Sequence, residues 1–376
     1  MPTTIFFTGG TGLIGSFLIP RLLQAFPDSR ILLLVRSADQ QELNLRLAHL
    51  RSWIEREVSI PELESRIEGV RGDILLERLG IPLPRLRDIL KSATHIIHGA
   101  ATIRFDHPLE EARKINVGGT RRMLQLADEA AQHGTLKRFL YVGTSSVSGQ
   151  RAGSIYEHEL EMGQQFFNTY EQSKCESERL VRDVMDRIPA TVVRPSIVIG
   201  DSRSGRTTSF NVVYIPLRLF YRGILDALPG NPDTLMDLVP VDWVDDVIVH
   251  LLRTERASGK VCHITAGPGR AVSLSAMIER ATSYFEQHAP LAHSRSSSFV
   301  SMEEFRRRLE RWGSRAETLL TQLDTLMPYV TVNRLFDSRT TDGILEGSGI
   351  GFPPFESYAD RIFNYCLETN WGKNPY

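Results

Sequence analysis

Short apolar runs alternate with longer amphipathic stretches from the start of the chain to Gly200. The runs are Ile5–Thr8, Ile31–Val35, Ile67–Gly72, His95–Gly99, Phe139–Val142 and Thr191–Arg194. Short runs rich in β-branched and other apolar residues are typical of strands that are covered on both faces. Strands that alternate with helical patterns predict right-handed βαβ crossovers, and therefore a parallel sheet between two layers of helices.

The stretches between these runs show helical periodicity. In Leu13–Phe26 the apolar residues recur at helical spacing, and in Asp39–Val58 they share one face. The apolar residues of the second stretch are Leu43, Leu47, Leu50 and Ile54. The periodicity predicts a helix in each stretch, the second being longer than a minimal crossover needs. A later apolar run, Cys262–Ala266, is predicted to add a last strand to the sheet.

The regular alternation ends at Asp201, and this change predicts a second region. Asp201–Ser209 is polar, Val212–Leu228 is apolar with aromatic and basic residues, and Ser294–Ser298 has the composition of an exposed linker. Met302–Leu326 predicts one or two helices with arginines along one side. Those arginines are Arg306, Arg307, Arg308 and Arg311.

The whole pattern predicts an α/β fold, a Rossmann-type doubly wound parallel sheet with a smaller, mostly helical C-terminal substrate domain. We expect residues 1–200, with about 236–266 returning, to form the sheet domain. Residues 201–235 and 267–376 are expected to form the substrate-binding region.

Composition narrows the classes of protein that the chain can belong to. Lys and Arg number 44 against 45 Asp and Glu, which indicates no nucleic acid partner. Three cysteines lie far apart without C-x-x-C spacing and are predicted to be reduced thiols. No apolar stretch reaches the ~18 residues of a transmembrane segment, and the first strand begins too early for a signal peptide. We expect a cytoplasmic protein.

A glycine-rich segment joins the first strand to the first helix. Its residues, which satisfy both G-x-G-x-x-G and G-x-x-G-x-x-G, are Thr8, Gly9, Gly10, Thr11, Gly12, Leu13, Ile14 and Gly15. Glycines at such a junction let the pyrophosphate of a dinucleotide approach the backbone N–H groups at the helix N-terminus. The segment therefore predicts a nucleotide-binding loop.

Residues that follow the other strands are candidates for further cofactor contacts. Arg36 and Ser37 follow the second strand, where a carboxylate would favour NAD and an arginine suits the additional phosphate of NADP. Asp73 follows the third strand and is placed to accept a hydrogen bond from the adenine amino group. Ala100 and Ala101 follow the fourth, where small side chains permit close approach. NADPH is the predicted cofactor.

Two further features carry candidate chemistry. Tyr170 and Lys174 are four residues apart, so in a helix the phenol and the ammonium share a face. A nearby ammonium favours the phenolate, which predicts a lowered pKa for Tyr170. Thr144 follows the fifth strand and is placed to donate a hydrogen bond to a carbonyl oxygen as negative charge develops there. His95 and His98 lack further ligands nearby, so no metal site is predicted.

Over roughly residues 3–270 these motifs resemble the extended short-chain dehydrogenase/reductase superfamily. The other matching segments are Asn116-Val117-Gly118-Gly119-Thr120, Arg194-Pro195-Ser196-Ile197-Val198-Ile199-Gly200 and Val239-Pro240-Val241-Asp242-Trp243-Val244-Asp245-Asp246. Within the superfamily the chain is most similar to the thioester reductase and fatty acyl-CoA reductase branch. Four segments carry this likeness: Leu34-Val35-Arg36, the helical insert with Arg46-Leu47, His98-Gly99-Ala100-Ala101 and Gly143-Thr144-Ser145-Ser146-Val147. In the last segment Gly143 stands where the branch usually has serine.

The resemblance implies an NADPH-dependent reductase of an acyl thioester, carried by coenzyme A or by a carrier protein. The product would be an aldehyde, which a second hydride could reduce to the alcohol. Thr144 and Tyr170 would bind the oxyanion, Lys174 the nicotinamide ribose, and Asn116 would hold Lys174 through a water. The remaining cofactor contacts implied are Ile74, Pro195 and Ile197.

Three alternatives stay open on the sequence alone. The same scaffold serves reductases or dehydrogenases of a free carbonyl or alcohol, and nucleotide-sugar epimerases or dehydratases that hold NAD. Arg36 disfavours the second group, which commonly has a carboxylate there. A catalytically silent nucleotide sensor would not need Thr144, Tyr170 and Lys174. The acyl group and the oligomeric state do not follow from the sequence.

Overall fold

In a computed structural model, which describes residues 3–223, 227–288, 298–310 and 326–373, a seven-stranded parallel sheet forms the centre of the molecule. The strands are β1 (Thr4–Thr8), β2 (Arg30–Val35), β3 (Ile67–Arg71), β4 (His95–His98), β5 (Arg138–Val142), β6 (Gly153–Ile155), β7 (Ala190–Pro195), β8 (Ile197–Ile199), β9 (Leu228–Pro229), β10 (Leu235–Met236), β11 (Leu238–Pro240), β12 (Lys260–Ile264), β13 (Val272–Ser273), β14 (Phe299–Val300) and β15 (Arg334–Phe336).

Helices cover the sheet and build most of the region after residue 200. They are α1 (Leu13–Ala25), α2 (Gln40–Glu55), α3 (Leu63–Arg66), α4 (Leu83–Ser92), α5 (Leu109–Gln132), α6 (Thr169–Arg182), α7 (Tyr214–Tyr221), α8 (Val241–Arg253), α9 (Leu274–His288), α10 (Met302–Glu310), α11 (Pro328–Thr331), α12 (Arg339–Leu345) and α13 (Ala359–Glu368). Among the described residues, no helix has both the length and the apolarity that crossing a membrane requires.

The strand order of the central sheet is β12-β7-β5-β4-β1-β2-β3, with parallel pairing throughout. The order reverses between β1 and β4, which is the switch point where doubly wound sheets bind ligands beyond the carboxyl ends of their strands. The predicted fold class is therefore confirmed, and so is the strand predicted in each of the first six apolar runs.

The predicted last strand is displaced by two residues at each end. β12 pairs with β7 from Lys260 to Ile264, rather than covering Cys262–Ala266. Beyond Ile264 the buried carboxylate of Asp237 accepts hydrogen bonds from the backbone N–H groups of Ala266 and Gly267, at 2.8 and 3.0 Å. These bonds turn the chain away from the sheet, and a hydrophobic pattern does not reveal them. The helix predicted in Asp39–Val58 is α2, which ends at Glu55.

Two apolar clusters cover the two faces of the sheet. On one face α1, α2 and α8 contribute residues such as Leu22, Leu47 and Val247. On the other face Ile89 of α4 and Met123 of α5 pack against the sheet. Burial on both faces explains why the strands have apolar side chains in continuous runs instead of in alternation.

A third cluster forms the core of the region after residue 200. It is built from α7, α9 and α13 and includes the buried rings of Phe220, Phe285 and Phe363. The domain boundaries drawn from the sequence remain predictions. Of the predicted linker only Ser298 is described, and of the predicted helical stretch the structure describes α10 and the end at Leu326; Arg311 lies outside the described residues.

The buried carboxylate of Glu157 joins this later region to the sheet domain. It accepts hydrogen bonds from the backbone N–H groups of His263 in β12 (2.9 Å), Thr340 (2.7 Å) and Thr341 (3.2 Å). It also accepts one from the Thr341 hydroxyl at 2.7 Å. The donors on His263 and Thr341 are buried, so they have no water to replace the carboxylate if it is removed.

We therefore expect Glu157→Ala to lower the free energy of unfolding by about 2–4 kcal/mol, since it leaves several buried donors without a partner. Equilibrium urea unfolding measures the change. Glu161→Ala is the matched control, because its ion pair with Arg179 is exposed and is expected to contribute less than about 1 kcal/mol. Equal losses in the two variants would contradict the role given to Glu157.

Candidate active site

The glycine-rich loop crosses the carboxyl end of the sheet with almost no space around it. Gly9 has a φ of 86°, and a Cβ there would lie 2.5 Å from the carbonyl carbon of Gly99. A Cβ on Gly15 would overlap the carbonyl oxygen of Gly9. At Gly12 a Cβ would meet protein only at the Gly9 oxygen, 3.3 Å away, and would otherwise project into the adjoining cavity. Glycine at position 12 therefore leaves space beside the loop for a ligand.

The glycine-rich loop forms one wall of a cavity of about 510 Å³ at the switch point of the sheet. Most of the predicted cofactor residues line it: Thr8, Gly9, Thr11, Gly12, Leu13, Ile14, Gly15, Arg36, Asp73, Ile74, Ala100, Ala101, Tyr170 and Lys174. Four predicted cofactor residues do not: Gly10, Ser37, Pro195 and Ile197. Gly10 instead faces the core, where a Cβ would overlap the side chain of Leu33.

Arg46 is a cavity residue that the sequence did not single out as part of the site. It lies on α2, opposite Arg36 at the end of β2, and both side chains line the cavity. Its guanidinium donates to Oε1 of Glu42 at 2.6 and 2.9 Å, and Ala38 N donates to Oε2 of Glu42 at 2.7 Å. The Ala38 bond, followed by Arg46, lowers the pKa of Glu42. The long helix predicted between the second and third strands thus supplies a second cation to this end of the cavity.

Asp73 lies at the same end, in the turn after β3. Its Oδ1 accepts a hydrogen bond from Leu75 N at 2.9 Å, which fixes the side chain in a local turn. The neighbouring Gly72 permits the chain to pass under Leu79, because a Cβ there would overlap the Leu79 carbonyl oxygen. The carboxylate is therefore held in a fixed position at the wall of the cavity.

Tyr170 and Lys174 lie one turn apart near the start of α6. Asn168 caps this helix, accepting a hydrogen bond from Glu171 N at 3.0 Å. Lys174 Nζ donates to the carbonyl oxygen of Val142 at 2.8 Å and lies 4.3 Å from the centre of the Tyr141 ring. The ammonium is therefore held by the end of β5, on the same side of the helix as Tyr170.

The pKa predicted for Tyr170 is wrong in direction. Burial raises the pKa of Tyr170 to about 12, although a hydrogen bond with Thr144 acts in the opposite sense. Burial also lowers the pKa of Lys174 to about 7, while the charge of Glu178 opposes that change. Spacing along a helix predicted that the two groups share a face, but not that both would be removed from water, and removal from water disfavours the charged form of each.

Thr144 begins the short 3₁₀ turn Ser145–Ser148, and its hydroxyl accepts a hydrogen bond from Ser146 N at 3.2 Å. Asn116 lies in α5, and the hydrogen bonds of its side chain go to Ser173 and Thr102. Its Nδ2 donates to the Ser173 hydroxyl at 2.9 Å, and its Oδ1 accepts from Thr102 N at 2.8 Å. Asn116 therefore fixes α6 against the chain that follows β4.

Neither buried histidine of β4 is placed as a metal ligand. His98 Nδ1 bonds with the Thr8 hydroxyl at 2.8 Å and Nε2 with the Thr120 hydroxyl at 3.1 Å. Burial, assisted by Lys174, lowers the pKa of His98 to about 3, so the ring is neutral. Within the described ranges, no group of three His, Cys, Asp or Glu side chains is placed to hold a metal ion.

A second cavity, of about 580 Å³, adjoins the first at Tyr170. Thr144 and Ser146 line it, together with aliphatic and aromatic residues from the chain between 209 and 215. Leu13, Ile103, Tyr170 and Val198 line both cavities. The hydroxyls of Tyr170 and Thr144 therefore lie near the junction of the two cavities, where a ligand bound in the first cavity would meet a ligand bound in the second. Such an arrangement suits transfer between a dinucleotide and a carbonyl compound.

Comparison with known proteins agrees with this geometry. Residues 7–248 match the family model described as male sterility protein, an NAD-binding family. A fatty acyl-CoA reductase of Drosophila melanogaster is 29% identical over 63% of this chain and 52% of its own length. A component of the linear gramicidin synthase of Brevibacillus parabrevis is 30% identical over 68% of this chain and 5% of its own length. The chain thus spans about half the length of that fatty acyl-CoA reductase.

Among solved structures, the terminal reductase domain of the myxalamid PKS-NRPS pathway is similar along the whole chain. Its TM-score is 0.84 at 29% identity, and the alignment covers 100% of this chain and 93% of that one. The chain therefore belongs to the male sterility protein family, within the thioester reductase and fatty acyl-CoA reductase branch of the extended short-chain dehydrogenase/reductases, and is an oxidoreductase with a nicotinamide dinucleotide site.

Proposed function

We propose that the protein reduces an acyl thioester, on coenzyme A or a carrier protein, to an aldehyde with NADPH. The observation that carries the proposal is the junction of the two cavities at Tyr170, with Thr144 on the side away from the glycine loop. The curated relative named as a fatty acyl-CoA reductase and the similar terminal reductase domain support a thioester substrate.

Tyr170 and Thr144 act on the carbonyl oxygen of the thioester. When bound, the dinucleotide supplies the hydride that reduces the carbonyl carbon. The oxygen then becomes an oxyanion, which the two hydroxyls stabilise by hydrogen bonds. Because the pKa of Tyr170 is raised to about 12, its phenol keeps its proton at neutral pH and is able to donate it to the oxyanion. Collapse of the hemithioacetal breaks the C–S bond and releases the thiol and the aldehyde.

Lys174 has two partners in this proposal. Its Nζ already donates to the Val142 carbonyl, and a second N–H group of Nζ would donate to the hydroxyls of the nicotinamide ribose. Asn116 takes part as a positioning residue through Ser173, beside the water-mediated contact with Lys174 that the sequence resemblance implied.

Two arginines support NADPH over NADH. Arg36 and Arg46 line the same end of the cavity from two elements, and paired guanidinium groups favour a phosphate.

The proposal is tested by following NADPH oxidation and thiol release with dodecanoyl-CoA and dodecanal, and by following product formation from UDP-glucose chromatographically, because epimerisation consumes no NADPH. We expect oxidation of NADPH with dodecanoyl-CoA, with one thiol released for each aldehyde formed. Turnover of UDP-glucose, or of dodecanal without any thiol release from the thioester, would instead favour an epimerase or a free-carbonyl reductase.

Cofactor preference tests the arginine pair. Arg36→Ala and Arg46→Ala are each expected to raise the KM for NADPH about 10- to 100-fold, because each loses a charge-assisted hydrogen bond to phosphate. The KM for NADH should change less than about threefold, since NADH lacks that phosphate. Arg56→Ala, on the exposed C-terminal end of α2, is the matched control. A preference for NADH in the wild-type enzyme would overturn this assignment.

Removal of the Tyr170 hydroxyl tests the proton donor. Tyr170→Phe keeps the ring and is expected to lower kcat about 10²- to 10⁴-fold, the usual contribution of a general acid. The dissociation constant for NADPH, measured by fluorescence titration, should stay within about threefold. Tyr156→Phe, in a tyrosine that lines neither cavity, controls for the loss of a hydroxyl elsewhere. Activity retained in Tyr170→Phe would remove this residue from the mechanism.

A further inference from the structure

A small apolar chamber lies behind the second cavity. Its volume is about 50 Å³. Among the described residues, its wall is formed almost wholly by aliphatic side chains and methionines from α7, α9, β9, β10 and the residues around α11. Its lining includes Met236 and Met277. An apolar enclosure of this kind excludes water and accepts apolar groups. The chamber is therefore suited to a hydrocarbon and not to a polar ligand.

Four residues form a partition between this inner chamber and the second cavity. Val212, Val213, Leu326 and Tyr329 line both spaces. The inner chamber is thus reached through the cavity that contains Thr144 and Tyr170. A long molecule with its reacting end at Tyr170 would have to pass Tyr329 to enter the chamber.

Tyr329 is held in place by the helix that carries Tyr170. Its hydroxyl donates to Oε1 of Glu171 at 2.9 Å and accepts from Asn168 Nδ2 at 3.3 Å. Its ring stacks on Phe105, with centroids 5.8 Å apart, and Phe105 in turn lies 5.7 Å from the Tyr170 ring. The side chain that separates the two spaces is therefore fixed relative to the reacting hydroxyl.

The partition also contains a strained residue. Val212 has a φ of 44°, in the left-handed region, which a β-branched side chain rarely adopts. Backbone strain of this kind persists only where surrounding contacts enforce it, and it concentrates at ligand sites. At Val212 the strained conformation directs an aliphatic residue to the boundary of both spaces.

We propose that the inner chamber holds the far end of a linear saturated acyl chain and that the size of this chamber, beyond Tyr329, limits how long that chain is. The inference rests on the thioester reduction proposed above and deepens it. The substrate class is then an aliphatic acyl thioester whose tail extends past Tyr329, rather than a polar or peptidyl one. Each methylene that enters the chamber is expected to raise kcat/KM about fourfold, until the chamber is full.

The experiment compares kcat/KM for a series of saturated acyl-CoAs, from butyryl- to palmitoyl-CoA, in the wild type and in variants of the chamber. Met277→Phe adds volume to the inner wall. It is expected to lower kcat/KM for the longer chains about 10- to 100-fold and to leave butyryl-CoA within about twofold. Met277→Leu, which conserves volume, is the matched control and should keep the wild-type profile.

Leu217→Ala provides a second variant of opposite effect. Leu217 lines the inner chamber but not the second cavity, so its truncation enlarges the chamber and the longest acyl chain that is reduced efficiently should increase. If Met277→Phe and Leu217→Ala both retain the wild-type dependence on chain length while reducing butyryl-CoA normally, the proposal is overturned. Butyryl-CoA turnover shows in each case that the variant is folded.

Binding without turnover separates this proposal from the proposed function. Calorimetry with free saturated fatty acids needs no reaction, and we expect decanoate to bind more tightly than hexanoate, with that advantage lost in Met277→Phe. This result in a protein that reduces no thioester would reject the proposed activity and support the chamber. Thioester reduction with equal binding of the two acids, in wild type and variant, would support the activity and reject the chamber.

Discussion

The site depends on the burial of a polar helix face. α6 places Glu171, Ser173, Lys174, Ser177 and Glu178 against the sheet and its neighbours, where all of them are less than 4% exposed. Burying such a face is costly unless each polar group finds a partner, since an unpaired buried charge costs several kcal/mol. Residues from neighbouring elements supply those partners.

The partners come from widely separated parts of the chain. The guanidinium of Arg194 in β7 binds both oxygens of Glu178, at 2.7 and 2.9 Å, and Asn116 in α5 binds Ser173. Tyr329, from the region after residue 200, binds Glu171. The interactions that position Tyr170 are therefore the same ones that bind the sheet domain, α5 and the later region to one another. A change in the packing of any of them would reach the reacting hydroxyl.

The sequence predicted the parts of the site that depend on residues close together in the chain, and missed those that depend on residues far apart in the chain. The glycine loop was predicted because strand, turn and helix are adjacent in the chain, and steric limits on a Cβ at Gly9 and Gly15 are local. Arg46 was missed as a site residue, because only the angle at which α2 packs brings it to the end of β2. The shift in β12 was missed because the carboxylate that turns the chain, Asp237, lies far away in sequence.

By itself, the sequence determined the parallel sheet, its alternation with helices, the glycine-rich loop and the shared face of Tyr170 and Lys174. These follow from periodicity and from residue types that act over a few positions. Only the tertiary structure decided which polar groups are removed from water, and hence that burial raises the pKa of Tyr170 and lowers that of Lys174. It also decided that two cavities meet at Tyr170, since a cavity is a property of elements packed together and no single segment encodes it.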